Sequence, residues 1–331
     1  MVALTAQNWP IAAAALPFAG RTADGTSVTD SDPAVWAAVL GEIADAGFDR
    51  VDVTDSWLRL GDLTAVRREE FAAVAAVVGV IPTSISAIRR SVIDHVDGKE
   101  NLDYSHRTLD AAAELGIETV SFGLHQALTS QQQAALWFWT VDGHRDRPED
   151  WGSAVERLTE LGRHAASLGI LVSLEMYEDT FLGTADLAVR LVEEIGLDNV
   201  GLNPDIGNLV RLHRPIESWW DLVEKTLPYA NFWHMKNYFR DEDPVREQYF
   251  AVPAAMQYGL IDYRRSFRYA LEQGFQGVLC VENYGGDGLS VCAENRDYLR
   301  RHVLPKRGGY TLGTSRVRQP RFAIQDIEET R

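Results

Sequence analysis

The feature that most constrains the fold of this chain is an eightfold alternation between short apolar runs and longer amphipathic segments. Apolar runs of this length are typical of buried strands, and the segments between them carry the three- and four-residue spacing of helices. The predicted strands are Ile11–Phe18, Phe48–Asp55, Val80–Ala87, Ile117–Gly123, Ile170–Glu175, Val200–Asp205, Phe232–Lys236 and Gly277–Glu282. The predicted helices are Pro33–Ala46, Asp62–Val78, Asn101–Leu115, Trp151–Leu168, Thr184–Ile195, Ile216–Thr226, Tyr263–Gln273 and Val291–Val303. This alternation predicts an α/β fold with a parallel sheet.

Glycine ends several of the predicted helices just before the next strand. These glycines are Gly47, Gly116, Gly169, Gly196 and Gly274. Glycine adopts the left-handed conformation of a helix C-cap without steric penalty, so the chain can turn at once into a strand. Eight such units predict a closed (β/α)8 TIM barrel. The alternative, an open doubly wound sheet, is disfavoured because no GxGxxG motif follows the first strand.

The chain is longer than a minimal barrel, which needs about 250 residues, and the surplus falls in three places. Two are long βα loops, residues 124–150 after the fourth strand and 237–262 after the seventh. The third is a C-terminal tail. We therefore predict one barrel domain over residues 1–304 and a C-terminal extension over residues 305–331.

Charge and cysteine content exclude several classes of protein. Acidic residues outnumber basic ones 48 to 32, for a net charge of −16, and such a field repels phosphate backbones and anionic membranes. We therefore expect no nucleic-acid partner and no membrane partner. Only Cys280 and Cys292 occur, without a CxxC pair, which fits a reducing compartment. The expected location is the cytoplasm.

Four successive predicted strands end in residues that can bind a metal ion. They are Glu175, Asp205, His234 and Glu282. Alone, each is more often a salt-bridged or core group, but the carboxyl ends of barrel strands converge on one mouth, so we expect the four side chains to surround one cation. Three carboxylates and an imidazole suit a divalent ion, with Mn²⁺ favoured and Mg²⁺, Co²⁺ or Zn²⁺ also compatible.

The segments around these four residues resemble the sugar isomerase/epimerase branch of the xylose-isomerase-like barrels. They read Leu174-Glu175, Asn203-Pro204-Asp205-Ile206-Gly207-Asn208, His234-Met235-Lys236-Asn237 and Val281-Glu282-Asn283. The resemblance covers about residues 8–304 and implies that the four residues hold a Mn²⁺-type ion, with the two glutamates as acid and base across a sugar. Epimerases of this branch usually carry a histidine where this chain has Asn208. The related endonucleases need further histidines on earlier strands, whereas residues 84–87 are Ser-Ile-Ser-Ala, so a nuclease is disfavoured.

The segment after the fourth strand adds a second resemblance. It places Trp137, Phe138 and Trp139 close to His144, and such rings can stack on an aromatic ligand while the histidine donates a proton. The alternative is a loop that anchors itself on the barrel rim. This segment and residues 175–184 are similar to the larger subunit of bacterial C-glycoside deglycosidases, two-subunit enzymes that cleave the carbon–carbon bond between an oxidised sugar and a flavonoid-type ring. The resemblance implies a 3-oxo-C-glycoside substrate and a small beta subunit as partner.

The predicted reaction begins with removal of the proton next to the carbonyl of a keto-sugar, which a bound divalent metal polarises. Elimination then expels the aryl group. The predicted catalytic residues are His144, the acid at the aglycone, and Glu175 and Glu282, which bind the metal and of which one is also the base. The predicted substrate-binding residues are Lys236, Glu178, His125, Trp139 and Asn208. His125 is also a rival of His144 in proton transfer.

Two other functions stay open at this point. A ketose 3-epimerase or sugar isomerase would begin with the same proton removal and then return the proton to the sugar. A non-catalytic barrel would bind a sugar and act only within a complex. We expect an oligomer in each case, and a hetero-oligomer if the beta subunit exists.

Overall fold

Eight parallel strands form the centre of the molecule in a computed structural model that describes residues 3–321. In these residues the strands are β1 (Ile11–Ala14), β2 (Arg50–Thr54), β3 (Ile81–Ala87), β4 (Thr119–Phe122), β5 (Leu171–Glu175), β6 (Val200–Asn203), β7 (Trp233–Met235), β8 (Asn237–Asp243), β9 (Gln248–Ala254) and β10 (Leu279–Val281). β1 pairs with both β2 and β10, and β10 pairs with β7. The remaining ends, β6 and β7, meet through a parallel bridge between Leu202 and Ala230. The predicted (β/α)8 barrel is confirmed, and the open sheet is wrong.

Helices connect the barrel strands near the predicted positions. They are α1 (Pro33–Asp45), α2 (Ala65–Val78), α3 (Gly98–Glu114), α4 (Ser130–Ala134), α5 (Trp151–Leu168), α6 (Ala185–Ile195), α7 (Gly207–Val210), α8 (Trp219–Thr226), α9 (Tyr263–Glu272), α10 (Gly288–Tyr298) and a π-helical turn at Leu299–Val303. The Asp32 carboxylate caps α1 by accepting a hydrogen bond from the Ala34 N–H at 2.8 Å. Gly169 ends α5 at a φ of +78°, the left-handed conformation expected of a C-cap glycine. Leu158 and Leu161 of α5 are buried against the barrel.

The predicted long loop after the seventh strand is instead largely a β-hairpin, in which β8 pairs with β9 in antiparallel register. Tyr238 is buried and Phe239 is half exposed, so the segment has the period-two alternation of a strand. The charged run at residues 240–243 conceals that pattern in the sequence. Because Lys236 alone separates β7 from β8, the hairpin projects directly from the mouth of the barrel.

The tail packs against the opposite, amino-terminal end of this chain's own barrel. The Arg318 N–H donates to the Asp198 carbonyl at 2.8 Å, and the Gly313 N–H donates to the Leu271 carbonyl at 2.9 Å. Residues 322–331 of the predicted extension lie outside the described residues. Within residues 3–321, no helix combines the length and the apolarity that crossing a membrane requires.

Candidate metal centre

The four predicted ligand residues meet at the carboxyl end of the barrel. Glu175 ends β5 and His234 lies in β7, while Asp205 and Glu282 follow β6 and β10. Each residue is at most 5% exposed. The Nδ1 atom of His234 lies 3.8 Å from a Glu175 oxygen, and 3.9 Å from an oxygen of Asp205 and of Glu282. These separations are too long for hydrogen bonds and leave room for a shared cation, whose ligand bonds are about 2.0–2.2 Å.

Groups on β2 and β3 set the protonation of His234. Asp52 Oδ1 accepts hydrogen bonds from Ser84 Oγ at 2.6 Å and from Ser86 Oγ at 3.1 Å. Because Ser86 gives its proton to Asp52, its oxygen accepts from His234 Nε2, which is 3.3 Å away. Nδ1 then faces three carboxylates and has no hydrogen-bond partner among the described residues. A buried ring nitrogen among three carboxylates fits a divalent cation, which would bind the Nδ1 lone pair of the neutral imidazole.

The same surroundings hold a proton on His234 in the metal-free chain. Burial by itself lowers the pKa of His234, but the neighbouring Cys280, Asp52 and Glu175 outweigh burial and hold that pKa well above its ordinary value. Because a metal needs the neutral imidazole, an ion that binds here must displace this proton.

Lys236 supplies a positive charge to the same cluster. Its ammonium contacts the carboxylates of Asp205 and Glu282, and the residue is 2% exposed. Burial lowers the pKa of Lys236, and the Asp205 carboxylate opposes that effect. The sequence predicts that Lys236 contacts sugar hydroxyls, whereas the structure places it as the counter-charge of two ligand carboxylates.

Asn208 and His125, two predicted substrate contacts, also lie against the ligand residues. The Asn208 amide donates to Glu175 Oε1 at 3.1 Å and to Asp205 Oδ2 at 3.0 Å, so it orients carboxylates. His125 Nε2 lies 3.9 Å from Glu175 Oε2, and its ring stacks on Tyr177 with 4.3 Å between centroids. Burial lowers the pKa of His125 to about 4, which leaves the imidazole neutral at ordinary pH.

Glu178 and Trp139 belong to a buried group around Arg211. Glu178 accepts two hydrogen bonds of 2.8 Å from the Arg211 guanidinium, so its carboxylate is paired with this buried cation. Arg211 in turn lies 4.9 Å from the Trp139 ring and 4.8 Å from the Phe138 ring. The aromatic segment after β4 is therefore anchored on the rim, as the alternative interpretation of this loop predicts.

A cavity of about 20 Å³ lies beside the ligand residues, with Arg89, His125 and Tyr177 in its wall. That volume holds about one water molecule, so side chains around it must move before a sugar can enter. His144 is exposed and lines a second cavity, which shares those three wall residues. The second cavity also includes Asp146, whose pKa burial raises to about 7. The structure thus places His144 one cavity away from the ligand residues.

Sequence reasoning missed Asp52, Arg89 and Arg211. Asp52 carries a detectable signal, since a carboxylate between Val51 and Val53 in an apolar strand requires a buried partner. Arg89 has a φ of +57°, and non-glycine residues in this conformation concentrate at functional sites. No local pattern reveals that backbone angle or the pairing of Arg211 with Glu178.

Comparisons with known proteins agree with this architecture. The family model described as Xylose isomerase-like TIM barrel matches residues 40–302. A xylose isomerase-like TIM barrel protein from Mycobacterium smegmatis, crystallised in complex with magnesium, is 47% identical, with a TM-score of 0.87 over 90% of this chain and 98% of that one. An inosose dehydratase from Yersinia enterocolitica is 30% identical over 172 residues, 48% of this chain, and the match spans 56% of that relative. A 3-keto-D-glucoside 4-epimerase from E. coli shares the fold at 17% identity, with a TM-score of 0.60 over 88% of this chain and 99% of the other.

Proposed function

The chain belongs to the xylose isomerase-like TIM barrel family, and from that premise we propose that it is a divalent-metal-dependent enzyme acting on a keto-sugar or keto-cyclitol. The proposed reaction removes the proton next to the carbonyl and then eliminates the group on the adjacent carbon. Our preferred substrate is a 3-oxo-C-glycoside, whose leaving group is an aryl ring. The name of the inosose dehydratase relative supports an elimination, because a dehydratase expels water.

The observation that carries the proposal is the buried Nδ1 of His234, which lies 3.8–3.9 Å from three carboxylates and has no hydrogen-bond partner among the described residues. We propose that Glu175, Asp205, His234 and Glu282 hold the ion. A divalent ion supplies Lewis acidity, which lowers the pKa of the carbon acid next to a carbonyl. Mn²⁺ stays our first choice, and Mg²⁺ is the second because the M. smegmatis relative was crystallised with it.

The two proton transfers of this reaction, at the carbon next to the carbonyl and at the leaving group, would take place in two adjacent cavities. Glu175 and Glu282 line the first cavity, and one of them takes the proton from the carbon next to the carbonyl. Neutral His125 lies beside Glu175 and can accept the proton in turn.

The second cavity provides the acid for the leaving group. His144 lines it together with Asp146, whose pKa of about 7 keeps part of its population protonated at neutral pH. We propose that His144 protonates the departing group. The aromatic segment around Trp139 would face an aryl leaving group only after it has moved from the rim.

The experiment loads the protein with Mn²⁺ and measures turnover of three substrates: a 3-oxo-C-glucoside, an inosose and a free ketose such as fructose. The 3-oxo-C-glucoside is tested with and without a candidate small beta subunit. We expect elimination from at least one of the first two substrates, loss of activity in chelator, and its return with Mn²⁺. Interconversion of ketoses alone would instead establish the epimerase alternative.

Two variants provide the matched comparison. Glu175→Gln keeps the size of a ligand side chain but removes its charge, and we expect it to abolish turnover. Glu69→Gln makes the same change at an exposed position of α2 and should leave turnover unchanged. Turnover that persists in chelator or in Glu175→Gln would overturn the proposed function.

A further inference from the structure

Two histidines outside the barrel mouth form a cluster between helices α3 and α5. His106 and Asp110 lie four residues apart on α3, and Glu160 and His164 lie four residues apart on α5. Residues at this spacing share one helix face. His106 Nε2 is 2.9 Å from Glu160, His164 Nε2 is 3.1 Å from Asp110, and the two Nδ1 atoms are 2.8 Å apart.

Counting protons shows that this arrangement needs an added cation. Glu160 and Asp110 are acceptors as carboxylates, so the Nε2 atom of each histidine must carry the hydrogen that it donates. Two neutral imidazoles then have only lone pairs on their Nδ1 atoms. Lone pairs 2.8 Å apart repel each other unless a positive species lies between them. One shared proton meets this need at the observed distance, and a metal ion that binds both nitrogens meets it once the rings separate to about 3.3 Å, as two Zn–N bonds of about 2.0–2.1 Å at a tetrahedral angle require.

We propose that His106 and His164 bind a borderline divalent transition-metal ion, Zn²⁺ first and Ni²⁺ or Cu²⁺ next, through their Nδ1 atoms. Imidazole nitrogens suit these ions, whereas Mn²⁺ and Mg²⁺ prefer oxygen ligands. Glu160 and Asp110 already hold the opposite ring nitrogens, which is how carboxylates orient metal-binding histidines in proteins. The two histidine side chains are 25% and 27% exposed, so water can complete the coordination.

Such an ion would join α3 to α5 on the outside of the barrel. Its effect is therefore on the stability of the helix layer, and its binding does not depend on the proposed function. A ligand that binds the folded chain and not the unfolded one stabilises the fold in proportion to the logarithm of its concentration. The expected signature is a melting temperature that rises with Zn²⁺ even when the metal centre in the barrel has been disabled.

The test measures Zn²⁺ bound per chain, by calorimetry and by metal analysis after dialysis. The double variant His106→Gln with His164→Gln should bind one Zn²⁺ fewer than the unmodified chain. The control variant His95→Gln with His302→Gln removes two histidines elsewhere and should bind the same number as the unmodified chain. This difference of one ion is expected whether or not the metal centre in the barrel also binds Zn²⁺, so the proposal for each site can be refuted separately.

A single substitution keeps the proposal testable if the double variant does not fold. Glu160→Gln keeps both histidines but weakens the orientation of His106, and we expect about 10- to 100-fold weaker Zn²⁺ binding. The melting temperature in chelator checks that each variant is folded. Equal Zn²⁺ stoichiometry in the unmodified chain and the folded double variant would overturn the proposal and assign the cation to a shared proton.

Discussion

Replacing Asp52 by asparagine tests how the barrel prepares His234 for a metal. Asp52 is fully buried and accepts hydrogen bonds from Ser84 and Ser86 through Oδ1, while its Oδ2 lies 3.7 Å from His234 Nε2. In the native chain this carboxylate favours a proton on Nε2, so Nδ1 is the nitrogen that can bind an ion once its own proton has left. An asparagine amide in the same place can donate to Nε2, which moves the imidazole proton to Nδ1.

The expected cost follows from the role of Asp52 behind a metal-binding histidine. Removal of such an orienting carboxylate typically lowers metal affinity about 10- to 100-fold, which corresponds to about 1.4–2.7 kcal/mol of binding free energy. Asparagine has nearly the same volume and its Oδ1 can keep the two serine hydrogen bonds, so the metal-free chain should still fold, with some loss of stability because Asp52 no longer supports protonated His234. The variant should therefore separate metal affinity from folding.

The assay is a Mn²⁺ titration followed by calorimetry, with the melting temperature recorded in chelator and in excess Mn²⁺. Asp241→Asn is the matched control, because Asp241 is exposed on the β8–β9 hairpin and makes no ion pair among residues 3–321. A Mn²⁺ affinity within twofold of the native value in Asp52→Asn would refute the tautomer argument. A collapse of the metal-free fold would show that Asp52 acts through stability instead.

Three further predictions concern charge, packing and pH. Lys236→Met leaves two buried carboxylates without their counter-charge, so denaturant unfolding in chelator should show a loss of about 3–5 kcal/mol, which added Mn²⁺ partly restores. Gly79→Ala and Gly274→Ala both place alanine at positive φ, but only the second brings a Cβ within 2.4 Å of a backbone atom, the Ser315 nitrogen. Gly274→Ala should therefore lower the free energy of unfolding by about 1–3 kcal/mol more than Gly79→Ala does. Equal losses in the two variants would contradict the packing of the tail. Because the pKa of His234 is raised in the metal-free chain, metal binding must release a proton. Mn²⁺ affinity should therefore rise from pH 6 to pH 8, by up to about tenfold per pH unit. A Mn²⁺ affinity that does not change with pH would contradict this linkage.

The barrel could be predicted from the sequence because its signals are local. Helices and strands of a β/α unit are neighbours in the chain, so the apolar spacing and the glycines that end helices carry the whole pattern. The ligand residues are also local in this sense, since each lies within two residues of the end of its own strand. Barrel closure then brings all four strand ends to one mouth. The β8–β9 hairpin escaped prediction because its charged residues 240–243 resemble a solvated loop.

The sequence by itself therefore determined the architecture and the place where Glu175, Asp205, His234 and Glu282 meet. Only the tertiary structure decided what each polar side chain does there. The pairing of Glu178 with Arg211 joins residues 33 positions apart, and the contact between Ser86 and His234 spans 148. Contacts of this kind depend on which strands become neighbours and on which groups lose their water. A buried polar group takes whichever partner the fold brings within hydrogen-bond distance, and one-dimensional spacing does not encode that choice.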